Sequence, residues 1–244
     1  MRLKEVKEQP LLTLPEDSTR WEEITGGDLR RVRGQREELV KGEGWGVFMM
    51  VAASMRRLSL EPGESLVRGH ETQARNHLLS LNSDINDWDY LTQLNHMREC
   101  GFDMGDAVRG GNVRLQRYFK NKWGERNYYA STRIAAHMKL IGLETPLDIK
   151  ENEPEIRQCV SSSAETQWWY DVTHQLWAMN VLGMDVGPEI KKYGGDMREH
   201  LRREMDEGKP DEFILHARRL HDLGILTPKK EGAKGMPPLR EFRG

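Results

Sequence analysis

Cysteine is scarce in this chain, which has only two among its 244 residues. Cys100 and Cys159 lie far apart, and neither belongs to a C-x-x-C pair. We therefore expect neither a disulfide framework nor a structural zinc site, and we predict a reducing environment.

Long apolar runs are also missing. The longest, VFMMVAA at 47–53, is far shorter than the roughly 20 residues that span a bilayer. Residues 1–10, MRLKEVKEQP, have no apolar core of the kind that a signal peptide requires. We expect no membrane contact, and a location in the cytoplasm or inside a virion rather than secretion.

Familiar catalytic motifs do not occur. The chain has no G-x-S-x-G, no phosphate loop of the form Gly-x4-Gly-Lys, no G-x-G-x-x-G and no H-E-x-x-H. The sequence therefore disfavours an enzyme, and it predicts no catalytic residue, no cofactor and no metal.

The apolar residues that are present follow a helical period. Runs of alternating Val, Ile and Thr, which β-sandwiches require, are absent, while apolar residues recur three and four positions apart. The sequence predicts an all-α, multi-helix globular domain or a pair of lobes. Helices are expected at about 45–60, 64–80, 84–100, 154–184, 187–207 and 211–224. Two more are expected in the region of 111–141, one before Gly124 and one after it.

Glycines and prolines suggest the domain organisation. We predict an extended N-terminal arm, two helical lobes and a flexible C-terminal arm, at 1–17, 18–110, 111–226 and 227–244, with the second lobe built on a long central helix at 154–184. Both arms combine prolines with leucines or a phenylalanine. Such arms can bury apolar side chains on a neighbouring copy, so a homo-oligomer is expected.

Positive charge is concentrated in the basic stretch, residues 109–133. It holds seven Lys/Arg and one acid, a local charge of about +6 in a chain whose formal charge is −2. Cations neutralise phosphates and aromatic faces stack on unpaired bases, so this mixture is typical of binding to single-stranded nucleic acid. Leu115, Phe119 and Trp123 form one helical stripe and are expected in the core. The predicted nucleic-acid site is Arg109, Arg114, Arg117, Tyr118, Lys120, Lys122, Arg126, Tyr128, Tyr129 and Arg133.

These observations favour an oligomerising, sequence-independent nucleic-acid-binding protein, similar in role to a viral capsid protein or an RNA-binding nucleoprotein. Two alternatives remain open. Asp171 and His174 stand three residues apart on a helix, which would suit a helical metalloenzyme, although a simple hydrogen bond between them explains the same spacing. Alternatively, the protein is a structural assembly protein, and its basic stretch contacts an acidic neighbour.

Overall fold

The computed structural model describes residues 19–20, 31–32, 34, 38, 44–58, 67, 69–83, 86–145 and 149–227. Within these ranges lie nine α-helices, which confirms the all-α prediction. They are α1 (Trp45–Arg57), α2 (Glu71–Ser83), α3 (Asp87–Glu99), α4 (Gly105–Gly124), α5 (Tyr128–Leu140), α6 (Glu153–Glu165), α7 (Trp169–Leu182), α8 (Gly187–Asp206) and α9 (Pro210–Asp222). A 3₁₀ turn (Ile149–Asn152) precedes α6.

One short strand pair accompanies the helices. β1 (Thr19–Arg20) runs parallel to β2 (Leu226–Thr227), which directly follows α9. Of the two predicted arms, residues 1–17 and 228–244 lie outside the described residues. No helix in the described part of the chain has both the length and the apolar content needed to cross a bilayer.

The predicted long helix at 154–184 is wrong, because the chain turns between α6 and α7. Gln167 adopts a left-handed conformation with φ 60°, and the Thr166 hydroxyl bonds back to the carbonyl groups of Ser162 and Ser163. This turn buries the Trp169 side chain while Trp168 remains 64% exposed. Neither glycine nor proline marks the break, so the helical period appears continuous in the sequence.

Helix α4 crosses the boundary between lobes that the sequence suggested at residue 110. Gly110 and Gly111 lie inside the helix, and a Cβ on Gly111 would lie 2.6 Å from Cε1 of Tyr90. Gly111 therefore allows α4 to pack closely against α3. A single cluster of buried apolar residues includes side chains from all nine helices and from β2.

The centre of the fold is α7. It packs against α5, α6, α8 and α9, while α1 packs against α3 and α9. The sequence after Ala164 is apolar on nearly every side of the predicted helix. The structure explains this pattern, because α7 is surrounded by other helices and buries residues on every side. Several of those buried residues are polar, among them Thr173, His174 and Gln175.

Candidate functional site

The basic stretch forms most of α4, the turn after it and the first half of α5. Three of its cations are paired with acids close in space: Arg109 with Asp106, Arg114 with Asp87, and Lys122 with Glu125. The Arg114 guanidinium also lies over the Tyr90 ring, 5.2 Å from its centroid. Much of the charge that the sequence shows is therefore neutralised locally.

The tyrosines of the stretch are engaged with the protein itself. The Tyr129 hydroxyl donates to Asp171, and Tyr128 packs edge-on against Trp123 with centroids 5.5 Å apart. Tyr118 is half-buried, and burial raises its pKa and that of Tyr129. The structure thus shows none of these tyrosines as a freely exposed ring.

Three exposed cations of the stretch are not paired with an acid among the described residues. Arg117, Lys120 and Arg126 have no ion-pair partner in the part of the chain that the structure describes. Arg117 and Lys120 share the outer face of α4 with Arg109 and with Val113, which is 81% exposed. This exposed face is what remains of the predicted groove.

Arg133 belongs to a different site. Its side chain is 14% exposed, donates to the Tyr129 hydroxyl, and lies 3.6 Å from Asp171. Its guanidinium also lies 5.3 Å from the centroid of the Trp88 ring. Arg133 thus lies among the helices, where it lines a cavity that is partly open to solvent.

This cavity has a volume of about 370 Å³ and lies where six helices meet. Side chains of α1, α2, α3, α5, α7 and α9 line it. Its polar lining consists of His77, Asp89, Thr92, Gln93, His96, Arg133, His137, Tyr170, His174 and Arg219. Its apolar lining consists of Val47, Met50, Leu81, Trp88 and Leu215, and the backbone of Gly46 completes the wall.

Helical spacing aligns these side chains. Arg133 and His137 stand one turn apart on α5, and Leu215 and Arg219 do so on α9. Tyr170 and His174 follow the same spacing on α7, and three α3 positions repeat it at Trp88, Thr92 and His96. Each of these four helices therefore directs residues at one-turn spacing into the cavity.

Many polar atoms in this cavity have no protein partner. His137 and His174 are 5% and 1% exposed, and none of their four ring nitrogens has a hydrogen-bond partner among the described residues. The same is true of Nη1 of Arg219, Nε of Arg133 and Oε1 of Gln93. Native proteins leave few buried polar groups unpaired, so these atoms are available to hydrogen-bond a ligand or water.

Burial keeps the histidines neutral. Desolvation, together with nearby arginines, holds the pKa of His96, His137 and His174 well below the usual 6.5. Desolvation also lowers the pKa of Arg219, but only to about 10, so its guanidinium stays charged at neutral pH. The cavity therefore combines neutral imidazoles with cations.

Its positive charge is only partly compensated. Asp171 lies 3.6 Å from Arg133 and Asp89 is part of the lining, whereas Arg219 has no carboxylate within ion-pair distance among the described residues. The Arg219 guanidinium instead lies over the Tyr170 ring, 4.7 Å from its centroid. An unpaired buried charge is costly, and an anionic ligand would offset that cost.

Two separate sequence hypotheses meet in this cavity. Arg133 was predicted to contact nucleic acid and His174 to bind metal or to bond with Asp171. The predicted Asp171–His174 hydrogen bond is wrong, because Asp171 accepts from Tyr129 and both ring nitrogens of His174 lack a partner among the described residues. Sequence reasoning missed Gln93, His137 and Arg219, although polar residues at one-turn spacing within apolar helices were visible.

Comparisons of the chain with protein-family models, with curated proteins and with solved structures give no match.

Proposed function

We propose that this protein binds a small organic anion in the cavity between its helices, with Arg133 and Arg219 holding the anionic group. The observation that carries this proposal is Arg219, a charged guanidinium that is 6% exposed and faces the cavity with Nη1 unpaired among the described residues. A carboxylate or phosphate accepts charge-assisted hydrogen bonds from guanidinium groups and compensates their charge.

The neutral histidines suit the same ligand. A neutral imidazole offers one N–H donor and one acceptor, so His137 and His174 can bond to an anionic oxygen or to a hydroxyl group beside it. The rings of Trp88 and Tyr170, with Met50 and Leu81, provide an apolar wall for the rest of the ligand. A volume of about 370 Å³ falls in the range typical of small-molecule sites.

The experiment combines native mass spectrometry of the purified protein with thermal unfolding in a panel of carboxylates and phosphate esters. A ligand present at 100 times its Kd stabilises a protein by about 2.7 kcal/mol, which for a chain of this size raises Tm by roughly 5–10 °C. We expect at least one aromatic or aliphatic anion to give such a shift.

Two variants show where binding occurs. Arg219→Met should abolish the ligand-induced shift, whereas Arg117→Met, on the exposed face of α4, should leave it intact. The proposal fails if no anion of the panel shifts Tm and no small molecule accompanies the native protein. It also fails if the ligand raises the Tm of Arg219→Met as much as it raises the Tm of the unmodified protein.

As a second candidate we propose sequence-independent binding of single-stranded nucleic acid at the outer face of α4. This proposal is supported by Arg117, Lys120 and Arg126, since exposed cations without carboxylate partners among the described residues are available to phosphates. The predicted aromatic stacking no longer supports it, because Tyr118, Tyr128 and Tyr129 pack against the protein.

Salt-dependent fluorescence anisotropy with a labelled oligonucleotide tests this second candidate. Changing Arg117, Lys120 and Arg126 together to Glu should eliminate binding, and Lys191→Glu on α8 is a control at another exposed cation. Unchanged affinity in the triple variant, or no binding at low salt, would favour the purely structural assembly protein.

Self-assembly through the arms at 1–17 and 227–244 belongs to the same candidate. Light scattering after size-exclusion chromatography, on the full chain and on a chain lacking residues 1–17, measures it directly. We expect the truncation to lower the oligomeric state, and equal masses per particle would reject a role for this arm.

A further inference from the structure

A second cluster of titratable side chains lies outside the cavity, where α8 packs against α9. His200 and Glu204 stand one turn apart on α8, and His216 comes from α9. One ligand atom of each residue lies within 4.8 Å of the other two. The Tyr170 ring lies between this cluster and the cavity, with its centroid 6.1 Å from that of His216 and 6.3 Å from that of His174.

The spacing of the donor atoms fits a single small ion. Nδ1 of His216 lies 3.0 Å from Oε2 of Glu204, and Nε2 of His200 lies 3.3 Å from Oε1. An ion bound tetrahedrally at about 2.0–2.1 Å from each ligand holds neighbouring ligands about 3.3 Å apart. Each histidine is therefore already close to the separation from Glu204 that coordination requires, with each nitrogen next to a different carboxylate oxygen.

The carboxylate at the centre of the cluster is incompletely satisfied. Glu204 is 2% exposed, and its Oε1 makes no well-formed hydrogen bond in the described part of the chain, its polar neighbour being Nε2 of His200 at 3.3 Å. A buried carboxylate oxygen without a well-formed hydrogen bond is a site that a cation would satisfy.

Thr173 supplies the support that metal-binding histidines usually have. Its hydroxyl lies 2.8 Å from Nε2 of His216 and 2.8 Å from the carbonyl oxygen of Trp169. A hydroxyl that gives its one hydrogen to that carbonyl accepts from Nε2–H of His216. This tautomer leaves the lone pair of Nδ1 directed towards Glu204, as an outer hydrogen bond does in known metal sites.

We infer that His200, Glu204 and His216 form a binding site for one divalent first-row transition-metal ion. Two imidazoles and one carboxylate are the ligands of several catalytic zinc sites and of non-haem iron sites. Three protein ligands leave at least one coordination position for water or another small ligand. The His200 side chain is 28% exposed, which gives an ion a route from solvent.

The test uses the full chain without an affinity tag, freed of metal with a chelator and titrated with Zn²⁺ by calorimetry. We expect one equivalent of Zn²⁺ to bind. Bound Co²⁺ should show the visible absorption of a low-coordinate site with nitrogen and oxygen ligands. His200→Gln should weaken Zn²⁺ binding by more than about 100-fold. This loss is larger than the roughly 10- to 100-fold expected when only a residue hydrogen-bonded to a metal ligand is removed. Because His200 is partly exposed, this variant should fold normally, which circular dichroism checks.

Two further variants separate coordination from general stability. Thr173→Val should weaken Zn²⁺ binding by about 10- to 100-fold without removing a ligand, and Thr173→Ser should restore it. His221→Gln, on α9 near the cluster in sequence, is the control and should bind Zn²⁺ normally. The site is rejected if the folded protein binds no stoichiometric Zn²⁺, or if His200→Gln binds it as tightly as the unmodified chain.

Discussion

Arg218 and Arg219 are neighbours on α9, and both are nearly buried, at 4% and 6% exposure. Arg218 donates to the carboxylate of Glu99, which makes it half of an ion pair. Arg219 faces the cavity and contacts the ring of Tyr170 instead of a carboxylate. Replacing each arginine with methionine, which keeps most of the side-chain length, compares a structural arginine with a ligand-binding one.

The expected costs differ because the two changes leave different groups behind. Arg218→Met leaves the Glu99 carboxylate without its partner, and breaking a buried pair costs about 3–5 kcal/mol. We expect about 3 kcal/mol, since the Glu99 side chain is 26% exposed and Arg57 contributes favourable charge. Arg57 also bonds to Asp222, so it cannot replace Arg218 fully.

Arg219→Met removes a buried cation and leaves no orphaned carboxylate among the described residues. The variant loses a cation–π contact worth up to about 2 kcal/mol, and it gains by no longer desolvating a charge. We therefore expect its unfolding free energy without ligand to lie within about 1 kcal/mol of that of the unmodified protein.

Urea unfolding followed by circular dichroism measures both free energies, with equal m-values showing that the same surface unfolds. In thermal scans Arg218→Met should lower Tm by roughly 6–12 °C, while Arg219→Met should change it by a few degrees. If Arg219→Met destabilises the protein as much as Arg218→Met, Arg219 is a structural residue and the cavity is not an anion site.

Stability should fall in mild acid, because the folded state holds the pKa of His96, His137 and His174 below 6.5 and the unfolded chain therefore binds more protons below that pH. If all three stay neutral when folded, lowering the pH from 7 to 5.5 costs about 3–4 kcal/mol, and a flat urea midpoint across this range would contradict their assigned neutrality. Gly111→Ala should destabilise by about 1–3 kcal/mol, because its Cβ would overlap the Tyr90 ring. Gly110→Ala has open space at the same helix and should stabilise by about 0.5–1 kcal/mol, so equal effects of the two alanines in urea would refute the close packing of α3 and α4.

Much of the helical content could be predicted from local patterns. Trp45–Arg57, Asp87–Glu99, Gly187–Asp206 and Pro210–Asp222 lie close to the predicted ranges, because their apolar residues recur with the helical period. The break at Gln167 could not be predicted, since a left-handed glutamine has no local signal, and tertiary packing of Trp169 stabilises it.

The basic stretch shows the limits of counting charges. Its cations are visible in the sequence, but their acidic partners come from other helices. Asp87 on α3 accepts from Arg114, and Asp171 on α7 lies near Arg133. Ion pairing between residues 27 and 38 positions apart depends on how helices cross, and one-dimensional composition does not contain that information.

The sequence by itself determined the all-α class, the position of most helices and the concentration of positive charge, because each depends on the composition or period of neighbouring residues. Only the tertiary structure decided which polar side chains act together. His137, His174 and Arg219 lie on three helices and meet in one cavity, and His216 joins His200 and Glu204 through the packing of α8 on α9. Such sites depend on distances in space between residues far apart in the chain.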